Sequence, residues 1–252
     1  MIAFACCVGP TDRFETIARP ALQQIMAEGD CLLLDSGEDG ICSAYNRLLQ
    51  RARALPECEA LVLLHDDVEL KPRAREQILA GASRPNVGVV GVVGGKGLYG
   101  GQWVKARQTA GYAQDFYGYR SFGASHASVD VVDGLLLVLT PAAFATLDFD
   151  HVSLGAFHGY DTDYCFRVRS HGLDVLVTPV DYVHHDKGGV GDIAAFEDAQ
   201  RVLSSTWDEW IRPLRGVERV TIPGRVLVRQ QVGRAQHRAF VAAKSIYRAL
   251  RP

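Results

Sequence analysis

Side chains able to hold a cation or move a proton recur in this chain where apolar runs end. They are Asp35, His65-Asp66-Asp67, Asp133, His158, Asp161-Thr162-Asp163 and His184-His185. The sharpest case is Leu61-Val62-Leu63-Leu64, which runs straight into His65-Asp66-Asp67. A short apolar run with a β-branched member reads as a buried strand. Carboxylates at its carboxyl end then sit on the rim where open α/β sheets bind ligands. Adjacent carboxylates are hard oxygen donors, suited to Mg²⁺ or Mn²⁺ carrying a phosphate-bearing substrate. The residues alone leave a second reading open: a solvated turn whose acids cap the next helix. Asp35 has the same alternative as a cap for the helix after it, and His158 and His184 have structural alternatives. Asp163 is spaced to pair with Arg167 across one helical turn.

The elements that must position these groups follow from periodicity. Ile2–Val8 reads as a central strand closed by Gly9-Pro10, with Thr11 or Asp12 as a helix cap and Glu15 completing a capping box. Phe14, Ile17, Leu22 and Ile25 follow a helical stripe that Pro20 must kink or break. Residues 31–35 read as a strand, 41–52 as a helix, 61–64 and 87–93 as strands, and Pro72 opens the helix between those two. This alternation predicts a mostly parallel sheet with right-handed crossovers. Residues 94–128 break the pattern: rich in Gly and Tyr, with weak strand signals, they read as a long loop, either the wall of a site or a surface insertion. Trp103, Tyr117 and Tyr119 in it are suited to stacking on a ligand or to core packing. Val129–Leu139 reads as one strand around Asp133-Gly134. A helix over 160–170 stops at Gly172, strands cover 175–177 and 182–185, and a helix spans 193–210.

The 252 residues carry a formal charge of −2 and 48% hydrophobic residues. This suits one large α/β domain with an appendage and gives no argument for a nucleic-acid partner. No apolar run reaches the length of about 20 residues that a membrane span needs. The six cysteines form no CxxC pair, and with a first segment unlike a signal peptide they imply reduced thiols in a cytoplasmic protein. After Glu218 there is no acid, while Arg219, Arg225, Arg229, Arg234, Arg238, Lys244, Arg248 and Arg251 accompany an apolar stripe. That pattern predicts a basic amphipathic helix, packing on its own chain, pairing in a homodimer, or lying peripherally on the inner face of an anionic membrane.

The order of elements over residues 2–190 resembles the family-2 glycosyltransferases of the GT-A fold, and within them the subgroup that includes streptomycin-biosynthesis-type domains. Three segments carry the resemblance: Leu63–Pro72, similar to the metal-binding Asp-x-Asp segment; Asp133-Gly134, similar to the acceptor-side strand; and Phe157–Arg167, similar to the segment with the catalytic base, followed by Val183-His184-His185. Two positions depart from the family pattern. His65 replaces the first acid of Asp-x-Asp, and Tyr160 replaces the Glu before the base.

The resemblance implies a GT-A-like, Rossmann-related α/β fold: a mixed, mostly parallel sheet flanked by helices over 1–190, with a C-terminal helical extension over 191–252. It implies a metal-dependent, inverting transfer of a sugar from a nucleotide-diphosphate donor, UDP-sugar favoured, to a saccharide or glycolipid hydroxyl in bacterial polysaccharide or glycoconjugate synthesis. Asp161 is then the base. Asp67 and His185 hold Mn²⁺ or Mg²⁺, with His185 preferred to His184 because it shares a strand face with Val183 and Asp181. Asp35, His65 and Asp66 contact the donor, and Asp133, Gly134 and His158 lie on the acceptor side. The same Asp/His set leaves two further functions open: a two-metal phosphoester hydrolase, and a nucleotide-sugar-binding domain without catalysis.

Overall fold

The structure, a computed structural model, describes residues 1–155, 157–186 and 192–211. The expected basic amphipathic helix lies outside these residues. The strands are β1 (Ile2–Cys7), β2 (Cys31–Asp35), β3 (Ala60–Leu64), β4 (Val68–Leu70), β5 (Val87–Gly91), β6 (Val93–Lys96), β7 (Gln108–Asp115), β8 (Gly118–Ser121), β9 (Ala127–Val129), β10 (Val131–Val132), β11 (Leu136–Leu139), β12 (Asp174–Val177) and β13 (Tyr182–His184). The helices are α1 (Arg19–Ile25), α2 (Ile41–Arg53), α3 (Ala74–Ala82), α4 (Pro141–Phe144), α5 (Tyr160–Ser170) and α6 (Ile193–Thr206). A π-helical turn, Phe14–Ala18, leads into α1, so Pro20 falls in the first turn of a new helix rather than inside an old one. No side chain caps this turn; Glu15 instead pairs with Arg19.

The central sheet has the order β2-β1-β3-β11-β5-β12-β9. β1 pairs in parallel with β2 and β3, and β5 with β12, while β11 and β9 run antiparallel to their neighbours. The mixed, mostly parallel α/β sheet expected from the sequence is therefore present. Strand alternation sends alternate residues to opposite faces. Ala3, Ala5, Leu61, Leu63 and Leu137 pack beneath Tyr45, Leu48 and Leu49 of α2 and Phe166 of α5. Ile2, Phe4, Val62, Leu64 and Val138 pack beneath Leu22 and Ile25 of α1 and Ile78 of α3. All six cysteines are free thiols, and four are buried. No helix among the described residues is long and apolar enough to cross a membrane.

Residues 94–128 are not the structureless loop the sequence suggested. With neighbouring segments they build a second sheet, order β10-β6-β7-β13-β4, with β8 on β7. Glycine hides these strands from propensity, because here it is needed for close backbone approach. A Cβ on Gly94 would stand 2.2 Å from the Val131 carbonyl oxygen, and one on Gly111, at φ +88°, would stand 2.0 Å from that of Val92. The expected single strand over 87–93 also divides, giving β5 to the central sheet and β6 to the small one.

Val129–Leu139 likewise divides. β10 pairs with β6, β11 joins the central sheet, and Asp133-Gly134 is the step between them. α6 belongs to the same compact unit as the two sheets. Ala199 and Leu203 of α6 lie where a Cβ on Gly159 would meet them at 3.2–3.3 Å.

Gly111→Ala is expected to lose about 3 kcal/mol of stability in urea unfolding, from a left-handed φ together with a backbone clash. A loss below about 0.5 kcal/mol would mean that β7 does not run against Val92.

Candidate active site

β3 ends at Leu64, and its line continues one residue further because His65 donates its backbone N–H to the Leu135 carbonyl at 3.1 Å. Asp66 and Asp67 then turn the chain into β4. β13 pairs antiparallel with β4, setting His184 opposite Val68. The outcome is a cluster of His65, Asp67 and His184, each offering one ligand atom within 4.8 Å of the others.

His184, and not the expected His185, stands beside Asp67, with Nε2 3.1 Å from Oδ1. His185 keeps the face of Glu69 and meets that carboxylate at 2.8 Å, lining a separate cavity of about 250 Å³ against α1. Strand alternation was read correctly for β13. What escaped it is that Asp67 belongs to the turn, so its side chain is free of the alternation and swings to the opposite face.

The cluster suits a cation by its own chemistry. Asp67 is only 4% exposed, and its Oδ1 faces His184 Nε2 at 3.1 Å. One buried carboxylate oxygen and two imidazole nitrogens that converge within 4.8 Å form a donor set suited to a divalent ion. Burial and the neighbouring His184 hold His65 below the usual imidazole range. Burial also opposes charge on His184 and on Asp67, yet their mutual attraction wins: His184 is raised and Asp67 is lowered. The second oxygen of Asp67 accepts from Arg13 Nη1 at 2.8 Å.

The two departures from the family pattern meet each other. His65 Nε2 lies 2.8 Å from the Tyr160 hydroxyl, which donates to the Gly134 carbonyl at 3.1 Å. With the single hydroxyl proton so used, His65 Nε2–H is the donor to Tyr160, and Nδ1 keeps its lone pair. A ring nitrogen held this way is how ligating histidines are oriented.

Tyr160 opens α5, and Asp161 follows in its first turn. Asp161 accepts from the Gly134 N–H at 2.9 Å and the Thr162 N–H at 2.7 Å. Burial, with the nearby charge of Asp133, raises Asp161 to about 7. Asp161 lines a cavity of about 260 Å³ together with His65, Asp133, Gly134, His158 and Trp103. Asp67 does not line it; His65 is the link between cavity and cluster. Asp133 accepts from Trp103 Nε1 at 2.7 Å and from the Leu135 N–H at 3.1 Å. Phe196 and Gln200 of α6 complete the wall, and Gln200 Oε1 is buried without a hydrogen-bond partner. The apolar stripe of α6 gave no signal for Gln200.

The remaining acids have other partners. Arg47 grips Asp35 through Nε at 2.8 Å and Nη2 at 2.6 Å, and also holds Asp39, so Asp35 shapes the 36–40 loop. Asp66 accepts the Gly9 N–H at 2.9 Å and thereby ties the loop after β1 to the rim. Asp163 pairs with Arg167 at 2.5 Å, as the spacing suggested, and accepts from Trp207. Tyr119 stacks on Tyr112 with 5.3 Å between ring centroids, and Tyr117 lies exposed in the turn between β7 and β8.

The sequence and the fold both have relatives among known proteins. The model of the glycosyltransferase-like family fits residues 27–203, and the chain belongs to this family; it is a glycosyltransferase. It is 29% identical over 190 residues to the streptomycin biosynthesis protein StrF of Streptomyces griseus, covering 75% of this chain and 68% of that protein. Its fold is similar to a crystal structure of GalNAc-T7 with UDP, GalNAc and Mn²⁺, at a TM-score of 0.56 and 11% identity. That similarity covers 83% of this chain and 49% of the other, so this chain spans about half its length.

The Asp161 carboxyl titrates above its ordinary value of 3.8, so its protonated form is the one the fold favours. Its contribution to stability is complete below about pH 4 and is lost as pH rises through about 7. The melting temperature of Asp161→Asn relative to the unsubstituted protein should therefore rise by about 5 °C between pH 4.5 and pH 8, on top of a pH-independent cost from turning an amide NH2 toward one of the two N–H donors. A gap that does not change with pH in thermal melts would contradict the raised value.

Proposed function

We propose that this glycosyltransferase moves a sugar, with inversion, from a nucleotide-diphosphate donor to an acceptor hydroxyl, and that it uses a divalent cation. The observation that carries this reading is the single scaffold joining Asp161 to the His65–Asp67–His184 cluster through Tyr160 and Gly134. In this reading His65, Asp67 and His184 hold the ion. A mixed nitrogen and oxygen donor set favours Mn²⁺ over Mg²⁺. When bound, the ion supplies charge stabilisation to the departing diphosphate.

The chain's own residues do the rest. Asp161, at about 7, is matched to general-base work near neutral pH. It takes the proton of the acceptor hydroxyl as that oxygen bonds to the anomeric carbon and the bond from that carbon to the diphosphate oxygen breaks. Attack opposite the leaving group inverts the centre. Asp133, Gly134 and His158 border the acceptor, with Trp103 as a flat wall. Asp66 positions the Gly9 loop toward the donor, and Asp35 acts on the nucleotide side through the loop it shapes with Arg47.

UDP-sugar is the favoured donor, in keeping with the UDP named for the GalNAc-T7 structure. A saccharide or other glycoconjugate acceptor fits the biosynthetic setting named for StrF. The basic segment after Glu218 is suited to an anionic membrane surface or to a second copy of the chain.

Asp161→Asn is expected to lower kcat about a thousandfold while donor affinity holds. In the unsubstituted enzyme kcat/KM should climb with unit slope and level off above about pH 7, because ionisation creates the base. Full turnover by the Asn variant would remove Asp161 from the role. Calorimetric titration with Mn²⁺ separates the two histidines: His184→Ala should weaken binding at least about tenfold and His185→Ala by less than about twofold. The reverse order would restore the choice of His185.

A further inference from the structure

Asp67 has one basic partner that the cation reading does not use. Arg13 donates from Nη1 to Asp67 Oδ2 at 2.8 Å, while its side chain stays 46% exposed and that of Asp67 only 6%. Its backbone sits just ahead of the Phe14–Ala18 turn, close to the Gly9 loop that Asp66 ties to the rim. A buried carboxylate needs a counter-charge, and on the oxygen turned away from His184 the guanidinium supplies it.

A divalent ion among His65, Asp67 and His184 would place a second, stronger positive charge on the same carboxylate. Like charges repel strongly at such short range. Arg13 is the partner able to leave, since much of its side chain already faces solvent. A guanidinium driven off a carboxylate finds its best alternative in paired phosphate oxygens, which match its planar fork.

We propose that Arg13 is a mobile counter-charge: it neutralises Asp67 in the cation-free protein, gives way to the divalent ion, and then clamps the donor's diphosphate. This rests on the reading of the cluster as a cation site. It makes Arg13 a brake on cation binding in the absence of nucleotide and a contributor to nucleotide binding once the ion is present. Cation and donor are thereby coupled, since the diphosphate gives the displaced guanidinium somewhere to go.

The test is calorimetric titration of the full chain and its R13Q and R13K variants, first with Mn²⁺ alone, then with UDP at saturating Mn²⁺. R13Q should bind Mn²⁺ about tenfold more tightly and UDP about tenfold more weakly. R13K keeps the charge but not the fork, so its Mn²⁺ affinity should stay near the starting value while UDP binding weakens. Unchanged or weaker Mn²⁺ binding by R13Q overturns the counter-charge role, and unchanged UDP binding overturns the clamp. If R13Q does not fold, R13K decides: weaker UDP at unaltered Mn²⁺ affinity supports the proposal, and unaltered UDP binding sinks it. An unsubstituted chain that binds no Mn²⁺ removes the cation site and this inference together. Normal Mn²⁺ binding that both variants share unchanged removes Arg13's part alone.

Discussion

One hydroxyl holds the site together. Tyr160 OH lies 2.8 Å from His65 Nε2 and donates to the Gly134 carbonyl, joining the end of β3, the step between β10 and β11, and the start of α5. The contact tolerates only glycine at position 134, because a Cβ there would stand 2.2 Å from that oxygen. Gly134 in turn gives its N–H to Asp161. The carbonyl and the amide of a single residue therefore orient the cluster and the proposed base from opposite sides. A buried hydroxyl stripped of these partners would cost about 1–3 kcal/mol, so side chain and backbone must be placed together or not at all.

Much of the central sheet was legible because its signals are local. Cys31–Asp35 and Tyr160–Ser170 have the bounds that apolar runs and a following Gly172 suggest, and Gly172 adopts the left-handed φ of +78° that such an end needs. The small sheet was not legible. Its glycines carry contact distance rather than propensity, and nothing local distinguishes a glycine that admits a carbonyl from one that makes a loop flexible. His65 and Tyr160 pose the same difficulty in the site. Each departs from the family pattern taken singly, yet they are bonded partners 95 positions apart, and no spacing rule reaches that far. His184 rather than His185 faces Asp67 for a narrower reason: alternation describes strands, and Asp67 is in a turn.

The strand-end acids also show how little residue type decides by itself. Asp35 and Asp163 are each gripped by an arginine, so their charge is spent on holding a loop and a helix. Asp161, with two backbone N–H donors and no cation in contact, is pushed toward neutrality by burial and by Asp133. A carboxyl kept this way weakens the fold whenever it ionises, which is the condition under which a base is useful. Asp35 and Asp163 carry a charge that an arginine stabilises, whereas Asp161, the proposed base, is held toward its protonated form by burial and by Asp133.

The exchange of an acid for His65 bears on the charge of the proposed cation site. His65 is held below the usual imidazole range and takes its ring proton to Tyr160, so it enters the cluster neutral. Once a cation holds His184 neutral as well, the ligand set carries a single negative charge, that of Asp67. A divalent ion there keeps one net positive charge to offer a diphosphate, where two carboxylates would have cancelled it. Weaker ionic hold on the metal is thereby exchanged for stronger pull on the leaving group. It also leaves Asp67 as the one carboxylate on which Arg13 and His184 converge when the ion is away.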